Sequence, residues 1–296
     1  MTEPRSVVIT GASRGLGLAS ATHLYNEGWR VVAAMRSPDA GLERLREATG
    51  APADDDRLIG VQLDLTDSAS VAAAAKVIEE AVGAPYALVH NAGIAAPGMA
   101  EEIPMPLWEK MFHTTVFGPV ALTNLLLPSM RAAGRGRIVM VSSVAGVRGM
   151  PLTAAYSAAK GALERWGESL ANEIAPFGLG VTILVAGTFD TEIITEAGAT
   201  DCRDFDGPYA RHHATTDRRG RFATKHLARS PERFAAGLAK VLNSKAPFAR
   251  RAMGPDARIL LVMNRILPSV ALHKGTRLIM GLPRSGGLTH QENNNG

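Results

Sequence analysis

Short apolar runs alternate with longer amphipathic stretches along most of the chain, and this alternation restricts the possible fold more than any other feature of the sequence. The runs are rich in Val and Ile and are bounded by Gly, Asp or Asn, as expected for strands buried on both faces. Strand–helix repetition predicts a parallel sheet with right-handed crossovers and helices on both faces. The predicted strands are Ser6–Thr10, Arg30–Met35, Leu58–Leu63, Ala87–His90, Gly136–Val141, Gly180–Val185 and Phe248–Met253.

The stretches between these strands have helical periodicity. The resulting α/β doubly wound sheet of seven strands is expected to form one domain over residues 1–289, followed by a disordered polar tail at 290–296. The predicted helices are Leu16–Asn26, Gly41–Thr49, Ser68–Ala81, Pro106–Met130, Thr153–Pro176 and Pro231–Asn243.

Two segments depart from the alternation. Residues 188–228 are polar, charged and poorly periodic, and we predict that they form an irregular, functional lid after the sixth strand. Residues 256–285 are basic and apolar and are predicted to form a C-terminal extension of two helical pieces divided at Pro268. This extension has three interpretations: packing on the protein's own core, which we favour, pairing with a second subunit, or contact with an anionic membrane surface.

Composition excludes several classes of protein. An apolar content of 46% and a charged content of 20% are globular values. The single cysteine, Cys202, excludes a disulfide framework and a cysteine-rich metal site. No leader pattern and no membrane-spanning apolar run is present, so we expect an unprocessed cytoplasmic protein, with membrane association left open.

The charged residues do not indicate a nucleic-acid or metal site. The net charge of +4 equals the excess of Arg and Lys within residues 256–285, and no nucleic-acid-reading motif accompanies it. His212, His213, Asp204 and Asp206 in the lid segment are irregularly spaced, so we interpret them as surface residues and expect no metal.

A glycine-rich turn, TGASRGLG, follows the first strand directly and precedes a helix. Glycines at such a turn let the backbone approach a pyrophosphate, while exposed N–H groups and the helix dipole face the anion. The context predicts a dinucleotide site rather than an ordinary turn. Its residues are Gly11, Ser13, Arg14, Gly15, Leu16 and Gly17.

The second strand ends in Arg36 rather than in an acid. An acid there accepts a hydrogen bond from the ribose 2′-hydroxyl of NAD, whereas an arginine accommodates the 2′-phosphate of NADP. Arg14 in the glycine turn supplies a second cation, and the nearest acid, Asp39, lies beyond Pro38. We therefore predict NADP(H) as the cofactor.

The glycine turn, the sequence Asn91-Ala92-Gly93, Ser143 and the pair Tyr156-x-x-x-Lys160 together resemble the short-chain dehydrogenase/reductase family in order and spacing. The sequences PFG at 176–178 and MGPDARIL at 253–260 are more loosely similar to its 17β-hydroxysteroid and retinol dehydrogenase branch. The resemblance implies a Rossmann-type fold, an NADP(H)-dependent oxidoreductase acting on a ketone or secondary alcohol, and a homodimer or homotetramer.

Tyr156 and Lys160 lie one helical turn apart, so their side chains share a face. Reduction of a ketone needs a proton for the developing alkoxide, and a nearby ammonium favours ionisation of a phenol. The resemblance makes Tyr156 the general acid/base. It gives Lys160 two roles, to lower the pKa of Tyr156 and to bind the nicotinamide ribose. It also makes Ser143 the residue that binds the substrate oxygen, with Ser142 as the alternative if the strand register differs by one.

The resemblance assigns further cofactor contacts to residues that follow strands. Asp64 and Leu65 meet the adenine, and Asn91, Ala92 and Gly93 line the cofactor beside the fourth strand. Gly187, Thr188, Phe189 and Thr191 lie on the nicotinamide side.

Two positions depart from the family pattern. Thr115 stands where the family has a catalytic asparagine that holds a relay water, and its hydroxyl has a shorter reach. Ala186 replaces a proline, which predicts a looser turn and a more mobile lid. These departures favour a second hypothesis, a catalytically weak NADP(H)-binding sensor or scaffold, although Ser143, Tyr156 and Lys160 are present.

Predicted pocket residues are mostly apolar, which favours a lipophilic substrate such as a steroid, a retinoid or a fatty-chain carbonyl. The candidates are Val147, Met150, Ile193 and Phe205.

Overall fold

Seven parallel strands form one sheet in the order β3-β2-β1-β4-β5-β6-β7 in the computed structural model, which describes residues 4–191, 199–282 and 285. The predicted seven-stranded Rossmann-type sheet is confirmed. The strand order reverses between β1 and β4, and ligands of such sheets bind at the carboxyl ends beside this point. The strands are β1 (Ser6–Thr10), β2 (Arg30–Met35), β3 (Leu58–Gln62), β4 (Ala87–His90), β5 (Gly136–Ser143), β6 (Leu179–Ala186) and β7 (Phe248–Met253).

Helices cover both faces of the sheet because successive strand residues point to opposite sides. Val7 and Ile9 of β1 pack in the layer with the first, second and ninth helices, whereas Val8 packs against the third and fifth. The helices are α1 (Gly15–Asn26), α2 (Pro38–Thr49), α3 (Ser68–Val82), α4 (Met105–Phe112), α5 (Gly118–Ala132), α6 (Val144–Val147), α7 (Ala154–Ile174), α8 (Ala210–Leu227), α9 (Pro231–Leu242), α10 (Pro255–Ile266) and α11 (Ser269–Met280).

The helix predicted over Pro106–Met130 is interrupted. A π-helical turn, His113–Phe117, separates α4 from α5, and Gly118 N–H donates to the carbonyl of His113. Pro119 has no N–H to offer the carbonyl four residues before it, so the regular ladder cannot continue there. Gly118 also passes so close to Leu65 that a Cβ would lie 2.3 Å from the Leu65 carbonyl oxygen.

The prediction that residues 188–228 are irregular was wrong for their second half, which forms α8. The helix is polar, so its sequence lacks the strong apolar stripe that predicts helices. Tertiary contacts hold it instead: buried His213 bonds Glu102 at 2.7 Å, and Arg203 forms an ion pair with Asp217. Our interpretation of His212 and His213 as surface residues was therefore also wrong, because both side chains are buried.

The C-terminal extension forms two helices, α10 and α11, divided at Pro268 as predicted. Ala257 of α10 and Leu272 of α11 are buried, so the inner faces pack on the protein's own core. Within the described ranges, no helix is long and apolar enough to cross a membrane. The tail 290–296 lies outside the described residues.

Candidate active site

The glycine turn after β1 forms a tight cradle at the carboxyl edge of the sheet. Gly11 has φ of +68° and Gly15 has φ of +55°, values that L side chains rarely adopt. A Cβ at Gly17 would lie 2.1 Å from the Gly11 carbonyl oxygen, and one at Gly11 would lie 2.9 Å from Ala92 Cα. The glycines are thus required by close packing, and their spacing leaves the N-terminus of α1 open to an anionic ligand.

Asn91 fixes this cradle to the neighbouring strand. Its side-chain amide donates to the carbonyls of Thr10 at 3.0 Å and Gly11 at 3.2 Å. The Thr10 hydroxyl in turn accepts from the backbone N–H groups of Asn91 and Ala92. The strand-ending asparagine therefore positions the loop.

Three charged residues lie where the resemblance expects the adenosine end of the cofactor. Asp64 accepts hydrogen bonds from the backbone N–H and hydroxyl of Thr66, and the backbone bond holds the pKa of Asp64 below its usual range. Arg36 and Lys110 add a smaller electrostatic effect in the same direction. The sequence interpretation missed Lys110, which lies in a helix apart from the expected motifs but lines the same cavity as Arg36.

Ser143 and Tyr156 meet at the end of β5. The Ser143 side chain caps α6 by accepting from Ala145 N–H at 3.2 Å. Burial raises the pKa of Tyr156, and a hydrogen bond with Ser143 opposes that shift. The phenol therefore holds its proton at neutral pH and has a polar partner at its hydroxyl end.

Lys160 is buried one turn further along α7. Its ammonium donates to the Val141 carbonyl at 2.7 Å and lies 5.7 Å from the centroid of the Tyr156 ring. Burial lowers the pKa of Lys160 to about 8, and the Glu164 carboxylate opposes that shift. The lysine is thus fixed by the β5 backbone and shares the face of α7 that carries the tyrosine.

A buried acid supports this lysine from behind. Glu164 follows Lys160 by one helical turn and is 1% exposed. Its carboxylate accepts from the Ser142 hydroxyl at 2.6 Å and pairs with Arg250 of β7. Sequence reasoning missed Glu164, although its spacing from Lys160 was a usable signal. Ser142, the alternative to Ser143, also lines the cavity described below, but its hydroxyl donates to Glu164.

The turn after β6 is tied to the C-terminal extension. Asp256 at the start of α10 accepts from the Thr188 N–H at 2.6 Å and from the Thr188 hydroxyl at 3.0 Å. A Cβ at Gly187 would lie 1.9 Å from the Asp256 carboxylate, so glycine is required. The looser turn expected from Ala186 is therefore offset by a carboxylate that sequence reasoning did not select.

These elements enclose one cavity of about 590 Å³. It brings together most of the predicted site residues, and its glycine cradle fits the pyrophosphate of a dinucleotide. The predicted residues that line it are Gly11, Ser13, Arg14, Gly15, Leu16, Arg36, Asp64, Leu65, Asn91, Ala92, Gly93, Ser143, Met150, Tyr156, Lys160, Gly187, Thr188, Phe189 and Thr191.

Four predicted residues do not line this cavity. Gly17 is buried behind the cradle, and Thr115 is buried in the π-helical turn, whereas its neighbour Thr114 reaches the cavity. The Thr115 hydroxyl has no hydrogen-bond partner among the residues that the structure describes. Two predicted substrate residues lie elsewhere because Val147 packs near Ala257 of α10 and Phe205 packs against His213.

Ile193, the remaining substrate candidate, lies outside the described residues. In the part of the chain that the structure covers, no group of three His, Cys, Asp or Glu side chains is placed to hold a metal ion.

Comparison with known proteins identifies similar sequences and structures. Residues 5–201 match the family model described as short chain dehydrogenase. The chain is 30% identical to retinol dehydrogenase 8 of Bos taurus over 92% of this chain and 89% of that protein. It is 28% identical to 3-ketodihydrosphingosine reductase of Bacteroides thetaiotaomicron, covering 89% and 93%. A short-chain dehydrogenase from Streptomyces avermitilis superposes with a TM-score of 0.80 at 31% identity, covering 96% and 100%.

Proposed function

The chain belongs to the short-chain dehydrogenase family, and on that premise we propose that it is an NADP(H)-dependent oxidoreductase that interconverts a lipophilic ketone and its secondary alcohol. The convergence of Ser143, Tyr156 and Lys160 on the cavity that contains the glycine cradle carries this proposal. Members of the family use a nicotinamide cofactor.

The residues of the cavity suit a nicotinamide dinucleotide along its whole length. The cradle at Gly11 and Gly15 would receive the pyrophosphate, and Arg14 with Arg36 would face a 2′-phosphate. When bound, the cofactor supplies or accepts the hydride. Two positive side chains at the adenosine end, with no acid at the end of β2, favour the phosphorylated cofactor.

Tyr156 is the proton donor in the direction of reduction. Its raised pKa keeps the phenol protonated at neutral pH, and Ser143 lies beside it to hydrogen-bond the same substrate oxygen. As that oxygen becomes an alkoxide, the phenol proton moves to it and the ammonium of Lys160 favours the phenolate that remains. In the direction of oxidation the same groups act in reverse.

Apolar walls beside these groups favour a lipophilic substrate. The cavity near Tyr156 is lined by Ile94, Ala96, Val144 and Met150. Both relatives named above are, by their names, enzymes of retinol and of 3-ketodihydrosphingosine, which are lipophilic compounds. We propose a substrate with an extended hydrocarbon part and a single carbonyl or hydroxyl that meets Tyr156.

A catalytically weak NADP(H)-binding protein is the second candidate. Thr115 favours it because the hydroxyl is buried in the π-helical turn and does not line the cavity. The presence of Tyr156 favours the enzyme, since a protein that only binds the cofactor has no need of a proton donor.

We also propose self-association through the outer surface around α5, where Phe117 and Leu125 are exposed. Size-exclusion chromatography with light scattering tests this; a monomer at all concentrations would contradict it.

Turnover measurements separate the two candidate functions. The full chain is mixed with NADPH and a panel of retinoid, steroid and aliphatic carbonyls, and NADPH consumption is followed. Tyr156→Phe is expected to lower turnover by about 100- to 10,000-fold while leaving NADPH binding intact. Tyr86→Phe is the matched control, because the Tyr86 hydroxyl donates to the Leu242 carbonyl and Tyr86 does not line the cavity. Tight NADPH binding without turnover on any carbonyl would favour the second candidate.

A further inference from the structure

The outward surface of the two C-terminal helices is apolar. Ile259, Val262 and Ile266 of α10 are 53–68% exposed and follow one another at helical spacing along one stripe. Val270 and Leu278 of α11 are exposed by 66% and 77%. We call these five residues the C-terminal surface. Isolated exposed aliphatic residues are ordinary, but a row of them on consecutive helices marks an interaction surface.

The opposite faces of the same helices already have partners. Ala257 and Leu261 of α10 pack against β6, and Leu272 of α11 is buried. Arg148 donates to the Ser269 carbonyl, and Arg219 of α8 donates to the Leu278 carbonyl. Each helix is therefore fixed on the protein by one face, while its other apolar face points outward.

The charges around the C-terminal surface are positive. Arg258 and Arg265 flank the stripe on α10, and Lys274 lies between Val270 and Leu278 at four-residue spacing on α11. Arg277 of α11 is the fourth cation of the two helices. Asp256, the only acid in α10 and α11, is turned inward to Thr188.

Charge decides which partner fits. A two-fold contact between copies of this surface would bring the same cations together from both chains, which is unfavourable. An anionic lipid surface attracts the cations and can receive the aliphatic side chains between them. We propose that α10 and α11 lie on an anionic membrane surface, with Ile259, Val262, Ile266, Val270 and Leu278 inserted at the headgroup boundary.

Membrane contact through α10 and α11 does not depend on the proposed oxidoreductase activity, but it would bring the cavity close to a source of lipophilic substrates. Arg219 connects α11 to α8, and α8 is anchored by His213 to Glu102. Glu102 belongs to the segment after β4 whose residues 91–97 line the cavity. A membrane-bound C-terminal surface would therefore lie beside the lid of a site proposed to take lipid-soluble substrates.

Vesicle sedimentation tests the proposal with the full chain. Vesicles of phosphatidylcholine alone are compared with vesicles that contain 30% phosphatidylserine, at low and physiological salt. We expect binding to the anionic vesicles that weakens as salt increases, and at least ten-fold less binding to the neutral ones. Equal recovery in the supernatant for both vesicle types at low salt would overturn the proposal.

Paired variants separate this surface from non-specific attraction. Arg265→Gln with Lys274→Gln is expected to weaken binding about 30-fold, from about 1 kcal/mol per cation. Ile266→Ser with Val270→Ser is expected to weaken it at least ten-fold. The controls, Lys76→Gln with Lys240→Gln and Val77→Ser, change exposed residues of α3 and α9 and should bind as the native chain does.

Two results would contradict the assignment. Equal loss of binding in the control variants would mean that overall charge, not this surface, attracts the vesicles. Light scattering that shows a dimer in the native chain and a monomer in Ile266→Ser with Val270→Ser would assign the surface to a second copy. NADPH binding, measured by fluorescence, should be unchanged in all these variants and verifies that each is folded.

Discussion

Asp256 and Thr188 join the C-terminal helices to the wall of the cavity: the carboxylate accepts both the backbone N–H and the hydroxyl of Thr188. The bond crosses 68 residues of sequence. It fixes a turn that has Ala186 where the family has proline. The C-terminal extension therefore contributes to the scaffold of the cavity.

Asp256→Asn should weaken NADPH binding. The amide loses the charge that strengthens both hydrogen bonds, at a cost of about 1.5–3 kcal/mol, or roughly 10- to 100-fold in the dissociation constant. Fluorescence titration with NADPH measures this. Asp54→Asn, an exposed acid in the loop after α2 that does not line the cavity, is the control. Unchanged binding in Asp256→Asn would show that the turn holds without the carboxylate.

Glu164→Gln should move the pH dependence of reduction. The Glu164 carboxylate raises the pKa of Lys160, which burial lowers to about 8. Without that charge the pKa of Lys160 falls further, so the ammonium is lost at lower pH and the decline in turnover with rising pH begins earlier. Turnover measured from pH 6 to 10 in both proteins tests this.

Glu168→Gln is the matched control for that series, since Glu168 also bonds Arg250 but is more exposed and lies a further turn along α7. Its profile should follow the native one. If turnover declines over the same pH range in Glu164→Gln and in the native chain, Glu164 does not influence the pKa of Lys160.

Arg36→Asp should change the preference between cofactors. The substitution removes a cation expected to face the 2′-phosphate and introduces an acceptor for a 2′-hydroxyl. We expect the ratio of kcat/KM for NADPH over NADH to fall by about 10- to 100-fold. Arg135→Asp, an exposed charge reversal near β5, is the control. A ratio equal to that of the native chain would refute the role of Arg36.

Thr115→Val should leave turnover within about two-fold. The hydroxyl of Thr115 does not line the cavity and has no hydrogen-bond partner among the described residues. Valine has the same shape, so the substitution replaces an unpaired buried hydroxyl with a methyl group. The melting temperature should stay equal or rise, by an amount corresponding to about 1 kcal/mol. A ten-fold loss of turnover in an otherwise stable variant would instead assign this hydroxyl to the proton relay.

The sequence by itself determined the sheet and the face of α7 that carries Tyr156 and Lys160. Strand periodicity and bounding residues are local signals, so β1, β2, β4 and β7 have the predicted limits. Tyr156 and Lys160 share a face because helical geometry places residues four apart on one side. The glycine cradle is likewise local, because the positive φ angles of Gly11 and Gly15 are values that residues with side chains rarely adopt.

Only the tertiary structure decided which residues support that face. The contacts of Glu164 and Asp256 form only in the folded chain, because each carboxylate bonds a partner distant in sequence. Glu164 pairs with Arg250 of β7, and Asp256 of α10 accepts from Thr188. The polar helix α8 is stabilised by contacts such as His213 with Glu102, which no local pattern predicts. Helical spacing is fixed by the backbone over a few residues, whereas these contacts depend on how the whole chain packs.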